Sequence, residues 1–196
     1  MKKHAIRIVG GQHRRRPIPV PDIPDLRPTP DRVRETLFNW LTHLWGGTFH
    51  DKHVLDLFAG SGALGFEAAS RGAAHVQMVE HSSAAVRALR RCRNELDARQ
   101  VRIHEGNARQ VLQRLAPAGF DLVFLDPPFG QAWPKWLWAP LGALLKPQAL
   151  IYIEANPLPT IPEWLSPLRE SRAGQVHFSL YRFDAMQNSS DNSNID

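Results

Sequence analysis

After Gly47 the chain alternates between two kinds of apolar pattern. The runs 53–57 (HVLDL), 76–80 (VQMVE), 101–104 (VRIH), 120–126 (FDLVFLD) and 149–154 (ALIYIE) are short and β-like. Between them, 63–71, 83–98, 108–116 and about 134–145 carry apolar residues at helical spacing. Short apolar strands separated by amphipathic helices predict a mostly parallel sheet covered on both faces, a doubly wound α/β fold. Four prolines after Asn156 break the alternation, and 176–183 (VHFSLYRF) predicts a last strand. Residues 187–196 have no apolar residue except Ile195 and predict a disordered tail.

The chain before Gly47 reads differently. Ile6, Ile8 and Val20 flank Gly10-Gly11 and Arg14-Arg15-Arg16, which predicts an arm outside the core, a short hairpin with a basic tip. Six prolines between Pro17 and Pro30 predict an extended connector. Thr29-Pro30-Asp31 then offers an N-cap, a proline at the first helical position and an acid near the positive helix end. Val33, Leu37, Trp40, Leu41 and Leu44 follow at helical spacing, and Gly46-Gly47 ends the helix. The division expected is 1–28 as arm and connector, 29–186 as one domain and 187–196 as tail.

Charge sharpens this picture. Residues 1–34 hold nine Lys and Arg against Asp22, Asp25 and Asp31, a net +6, whereas the whole chain of 196 residues carries +5. A basic arm on a nearly neutral body points to a polyanion, with a solvated, solubilising tail as the alternative. No apolar run reaches the length of a membrane span, and Arg7 and Arg14 leave no room for a signal peptide's apolar stretch. The single cysteine, Cys92, excludes an internal disulfide and suits a cytoplasmic protein; it is expected to pack inertly. A monomer is expected.

The unusual residues gather at predicted strand ends, where ligands of such sheets bind. Gly60, Gly62 and Gly65 fit GxGxxG, so backbone N–H groups can approach a ligand at a helix N-terminus. Phe66-Glu67 stands where an NTPase loop needs Lys-Ser/Thr, and Ser61 lacks the glycine of a nucleophile elbow. His50 and His53 have no matching ligand pair, so no metal site is expected. Asp56 decides the ligand class. A carboxylate at a buried strand end repels pyrophosphate and attracts a cation. Glu80, at the end of the next strand, has the position of an acid that accepts ribose hydroxyls. Together they suit S-adenosylmethionine.

Asp126-Pro127-Pro128-Phe129 is the second signal. Two prolines stiffen the backbone, so the Asp126 and Pro127 carbonyls and the Asp126 carboxylate become fixed acceptors beside the flat face of Phe129. That suits a planar base with an exocyclic amine. Trp133, Trp136 and Trp138 are expected to pack rather than stack on bases. Arg87, Arg90, Arg91 and Arg93, on one helix with Glu95 and Asp97, read most simply as a solvated face, with auxiliary phosphate contact as the alternative.

These residues resemble a known family. Asp126-Pro127-Pro128-Phe129 with Asp56-Leu57-Phe58-Ala59-Gly60-Ser61-Gly62 is similar to the signature pair of amino-group methyltransferases of the class I S-adenosylmethionine fold. Arg27-Pro28-Thr29, Asp31 to Leu41, Leu55 to Gly65 and Phe120 to Phe129 resemble the bacterial 16S rRNA guanine-N2 methyltransferases. The resemblance implies methylation of one guanine N2 in 16S rRNA, within an assembled or assembling small subunit. It implies catalytic roles for Asp126, Pro127, Pro128 and Phe129, and cofactor contacts at Thr29, Asp56, Phe58, Gly60, Ser61, Gly62, Glu80, Asn107 and Asp126. RNA contacts fall on Arg7, Arg14, Arg15, Arg16 and Arg27. The family's arm has Gly-Gly-x-Trp-Arg-Gly-Arg, where here Gly10-Gly11 precedes His13 and Arg14 to Arg16. Asn107 stands where the family commonly has Asp. The rivals are a DNA adenine-N6 methyltransferase, a nicotinamide oxidoreductase and a non-catalytic RNA-binding assembly factor.

Overall fold

A computed structural model describes residues 5–23, 29–128 and 133–185. Arg27, Phe129 and the tail 187–196 lie outside the described residues. Strands β1 (Ala5–Arg7) and β2 (Pro17–Pro19) form the N-terminal hairpin, with Ile6 opposite Ile18. Then follow α1 (Asp31–Leu44), β3 (His53–Asp56), α2 (Ala63–Ser70), β4 (His75–Glu80), α3 (Ser83–Glu95), β5 (Val101–Glu105), α4 (Ala108–Leu112) and β6 (Phe120–Leu125). A 3-10 turn at Lys135–Leu137 leads into α5 (Trp138–Leu144), β7 (Leu145–Ala155), β8 (Leu165–Ala173) and β9 (Val176–Phe183).

The seven later strands form one sheet in the order β5-β4-β3-β6-β7-β9-β8. The first five in that order are parallel, and β9 runs antiparallel between β7 and β8. Strand order reverses between β3 and β6, so their carboxyl ends flank the ligand crevice of a doubly wound sheet. The expected fold class is the one found.

Alternation along the strands divides the core in two. Val54, Leu122, Phe124, Leu150 and Tyr152 face the side of α1, α2 and the hairpin, whereas Leu55, Val123, Leu125, Ile151 and Ile153 face the side of α4 and α5. Trp133, Trp136 and Trp138 pack against the second side, and the Trp133 and Trp138 rings stack with centroids 5.5 Å apart. They are core, as the sequence suggested.

Helix α2 is buried along its whole length because the hairpin covers its outer face. Its two polar side chains meet that cover. The Val9 and Gly10 N–H groups donate to Glu67 at 2.7 and 2.8 Å, and the His13 N–H donates to Ser70 Oγ at 2.9 Å. Gly11, at φ 76°, lies so close to the Ser70 carbonyl that a Cβ there has no room. Residues 5–20 are therefore not an arm outside the core: Ile8 and Ile18 are fully buried in it. Arg34, also fully buried, donates to the Arg7 carbonyl at 2.9 Å and pairs with Asp31.

Other expectations shift in detail. Strand β8 went unpredicted because Pro167 and its largely exposed residues argue against a strand. As the sheet's edge it tolerates the proline, with a register shift between Pro167 and Arg169. Helices α3 and α4 stop at Glu95 and Leu112, earlier than their apolar spacing suggested. The cap position of α1 is Pro30, with no side-chain capping bond, so Thr29 is not its N-cap.

Candidate active site

Three acids end three adjacent strands on one face. Asp56 follows Val54 at a two-residue interval on β3, Asp126 follows Phe124 beyond β6, and Glu154 follows Tyr152 on β7. Asp56 pairs with Phe124, and Phe124 with Tyr152, so the period of two carries all three carboxylates toward the α1–α2 side of the crevice. Asp56 and Glu154 are buried. The Gly65 N–H donates to Asp56 at 3.0 Å, the Tyr152 hydroxyl to Glu154 at 2.8 Å, and the Thr29 hydroxyl sits 3.5 Å from the Asp126 carboxylate.

None of the salt bridges among the described residues involves these three acids. Burial pushes Asp56 from 3.8 up to about 7, against the Gly65 hydrogen bond and with added repulsion from Glu80. Burial, then the charges of Glu154 and Asp56, push Asp126 well up. Burial also raises Glu154, while bonds from Tyr152 and Thr29 oppose the rise. Negative charge without a basic partner is the electrostatic signature of a site for a cation.

The glycine loop lies beside this cluster. Glu80 is buried at the end of β4 and accepts the Gly60 N–H at 2.9 Å and the Ser82 N–H at 2.7 Å. One carboxylate thus holds both the loop after β3 and the cap of α3. Its Oε2 keeps a lone pair for a further donor, as a ribose hydroxyl requires, while the exposed His81 Nδ1 lies 3.2 Å from Oε1. Gly62 caps α2 in the left-handed region, Ser61 is buried, and Phe58 is half-buried against the second core face. A side chain at Gly65 would strike Met78 and the Asp56 carboxylate, so this glycine lets α2 close on the sheet.

Residues 6–182 match the family described as conserved hypothetical protein 95. Over 186 residues the chain is 45% identical to the Ribosomal RNA small subunit methyltransferase D of Escherichia coli, covering 92% of this chain and 91% of that relative. The chain belongs to the ribosomal RNA small subunit methyltransferase D family. A solved Escherichia coli structure named methyltransferase yhhF matches with a TM-score of 0.82 at 41% identity, over 93% of this chain and 99% of that one. An RNA methyltransferase from Salinibacter ruber, solved in complex with S-adenosyl-L-homocysteine, has a TM-score of 0.60 at 18% identity, covering 80% and 94% of the two chains. At that identity the likeness is one of fold.

The fold of this methyltransferase family brings most of the sequence-derived candidates together. Thr29, Asp56, Gly60, Ser61, Gly62, Glu80 and Asp126 converge on the β3–β6 crevice; Pro127 is half-buried there and Pro128 exposed. Asn107 is exposed and serves as N-cap of α4, accepting the Arg109 N–H at 2.9 Å. The arginines part company with the site. Arg14, Arg15 and Arg16 lie in the hairpin turn, and Arg16 reaches the Glu95 carbonyl at 3.2 Å, at the far end of α3. Sequence reasoning missed Glu154 and Tyr152. The signal was present: a carboxylate ending the apolar run ALIYIE is as costly as the Asp56 carboxylate on β3.

Proposed function

We propose that this chain methylates the exocyclic N2 amine of a guanine in 16S rRNA of the small ribosomal subunit, with S-adenosylmethionine as methyl donor. The observation that carries the cofactor is the trio Asp56, Asp126 and Glu154 beside Glu80, which supplies negative charge for a cation and acceptors for a ribose. The family supports rRNA as the substrate class. The enzyme acts as a monomer in the cytoplasm on an assembled or assembling subunit, through one methyltransferase domain whose core includes the N-terminal hairpin.

Bound S-adenosylmethionine supplies an electrophilic methyl group on a sulfonium. Asp56 and Glu154 would balance its positive charge, Glu80 would hold the ribose, and Thr29, Phe58, Ser61 and Asn107 would line the remaining contacts. The target amine is a poor nucleophile, because its lone pair is delocalised into the ring. The Asp126 carboxylate and the Pro127 carbonyl would accept its two N–H groups, with Pro128 stiffening the turn; the stacking role of Phe129 is what the family resemblance implies. Held this way, the lone pair would be freed from the ring to attack; orientation and fixed acceptors supply the rate, without a strong base before attack. The methylated nitrogen is then acidic enough to lose its proton to any nearby acceptor.

Transfer of tritiated methyl groups to small subunits from a strain lacking the enzyme, followed by nucleoside analysis, tests this. N2-methylguanosine is the expected product. A labelled N6-methyladenine in DNA, or no transfer at all, would replace the reading with one of its rivals.

A further inference from the structure

The cofactor crevice leaves a separate basic surface unexplained. Helix α3 starts at Ser82, which is tied to Glu80 at the crevice, and runs 13 residues away from it. At 1.5 Å per residue its far end lies about 20 Å from the cofactor site. There a surface depression of about 370 Å³ is lined by Arg93, Asn94, Asp97, Ala98, Arg99 and Arg102. The hairpin tip meets the same end of the helix through the bond from Arg16 to the Glu95 carbonyl. Arg16 at the hairpin tip thus joins exposed Arg99 and Arg102 and half-buried Arg93 around Glu95 and Asp97, an excess of positive charge in one place.

The depression is ordered by its own backbone and side chains. Arg102 donates to the Arg99 carbonyl at 2.9 Å, Arg99 Nε to Asp97 at 3.0 Å, and Arg93 to Asn94 Oδ1 at 3.1 Å. The Asp97–Arg99 pair is 75% and 87% exposed, so it offers little energy of its own and leaves the guanidinium edge for a stronger acceptor. Arginine forks at fixed spacing match phosphate oxygens.

We propose that this depression binds phosphates of the RNA backbone. Together with the hairpin tip it forms a second anchor about 20 Å from the methylated base. The proposal rests on the rRNA reading above and deepens it. RNA long enough to touch both places must run down the α3 flank of the enzyme, so a short oligonucleotide carrying only the target guanine misses the anchor. Selection of a large folded RNA over a fragment follows from that geometry, since the electrostatic part of affinity scales with the phosphates neutralised.

The test replaces Arg93, Arg99 and Arg102 together by Gln. The exposure of Arg99 and Arg102, the half-exposure of Arg93 and their distance from the crevice predict an unchanged fold and unchanged S-adenosylmethionine affinity. Affinity for small subunits should fall tenfold or more. The slope of log affinity against log salt should shrink by roughly 0.7–0.9 for each phosphate that the variant no longer neutralises. KM for subunits should rise while kcat at saturation holds. A photo-crosslinking phenylalanine analogue placed at position 99 should attach to RNA. An unchanged affinity and salt slope would overturn the proposal, and so would a crosslink to ribosomal protein. If the wild-type enzyme transfers no methyl group to subunits, the rRNA reading itself has failed and the anchor goes with it.

Discussion

The Tyr152 hydroxyl donates to Glu154 across 2.8 Å, both side chains buried at the carboxyl end of β7. This pair sits beside Asp126, whose raised pKa Glu154 helps to cause. Glu154→Gln keeps an acceptor for Tyr152 and removes one buried charge. Because folding raises the Glu154 pKa, its stabilising contribution is present below the unfolded value and lost as pH rises through the folded one. The variant is therefore expected to be more stable than wild type at pH 8 without cofactor, and to bind S-adenosylmethionine more weakly. Urea denaturation and calorimetry read the two effects. Lower stability of Glu154→Gln at pH 8 would show that the charge is already compensated. Tyr152→Phe should destabilise by about 1–3 kcal/mol, by leaving a buried acceptor short of its donor.

Asp56 sets a second pH dependence. Its pKa rises from 3.8 unfolded to about 7 folded, so the cofactor-free protein is expected to lose stability progressively between about pH 4 and 7. A bound cation favours the ionised carboxylate, so S-adenosylmethionine binding at pH 6 should release protons. Calorimetry in buffers of different ionisation enthalpy measures that release. Asp56→Asn, which still accepts the Gly65 N–H, should flatten the stability profile and abolish most of the release. A profile identical to wild type would show that Asp56 does not set the pH dependence.

Glu80 has two jobs, and its variants should separate them. Glu80→Ala loses the charge-assisted bonds to ribose, about 1.5–3 kcal/mol each, and also frees the Gly60 and Ser82 N–H groups. Weaker cofactor binding in a folded protein is expected, by tenfold or more. Glu80→Gln keeps one acceptor oxygen and should recover part of it. Calorimetric affinity equal to wild type in Glu80→Ala would falsify the ribose assignment.

Asp126→Asn is expected to retain substantial single-turnover activity, since an amide oxygen still accepts from the target amine. Asp126→Ala should lose several orders of magnitude in kcat. Equal inactivity of the two would mean that carboxylate basicity, rather than an acceptor, drives the step.

Removing residues 1–20 outright is expected to unfold the protein. Ile8 and Ile18 leave the core, each comparable to a large-to-small core substitution of about 2–5 kcal/mol, and Glu67 loses two backbone donors. The RNA role of the hairpin is better read by changing Arg14, Arg15 and Arg16 to Gln. That protein should melt like wild type, bind S-adenosylmethionine normally and show a reduced salt slope with small subunits. An unchanged slope would reduce the tip to a structural cover for α2.

The chain's local patterns determined much of this protein by themselves. Short apolar runs marked five strands of a mostly parallel sheet and a last strand at 176–183, whose antiparallel direction only the structure shows. Glycines and acids at strand ends marked the crevice, because a costly residue at a buried strand terminus needs a reason that can be read without coordinates. Asp56, Glu80 and Asp126 were legible for that reason. Other features were decided only when distant segments met. Glu67 looks like one polar residue on an apolar helix until Val9 and Gly10 are laid across it. Glu154 gains its meaning from the register of β7 against β6 and β3, a property of hydrogen bonds between strands rather than of any one strand. The hairpin tip reads as basic from sequence alone. Its place at the far end of α3 was set by the packing of Ile8 and Ile18 and the close approach of Gly11 to Ser70, contacts between segments nearly sixty residues apart.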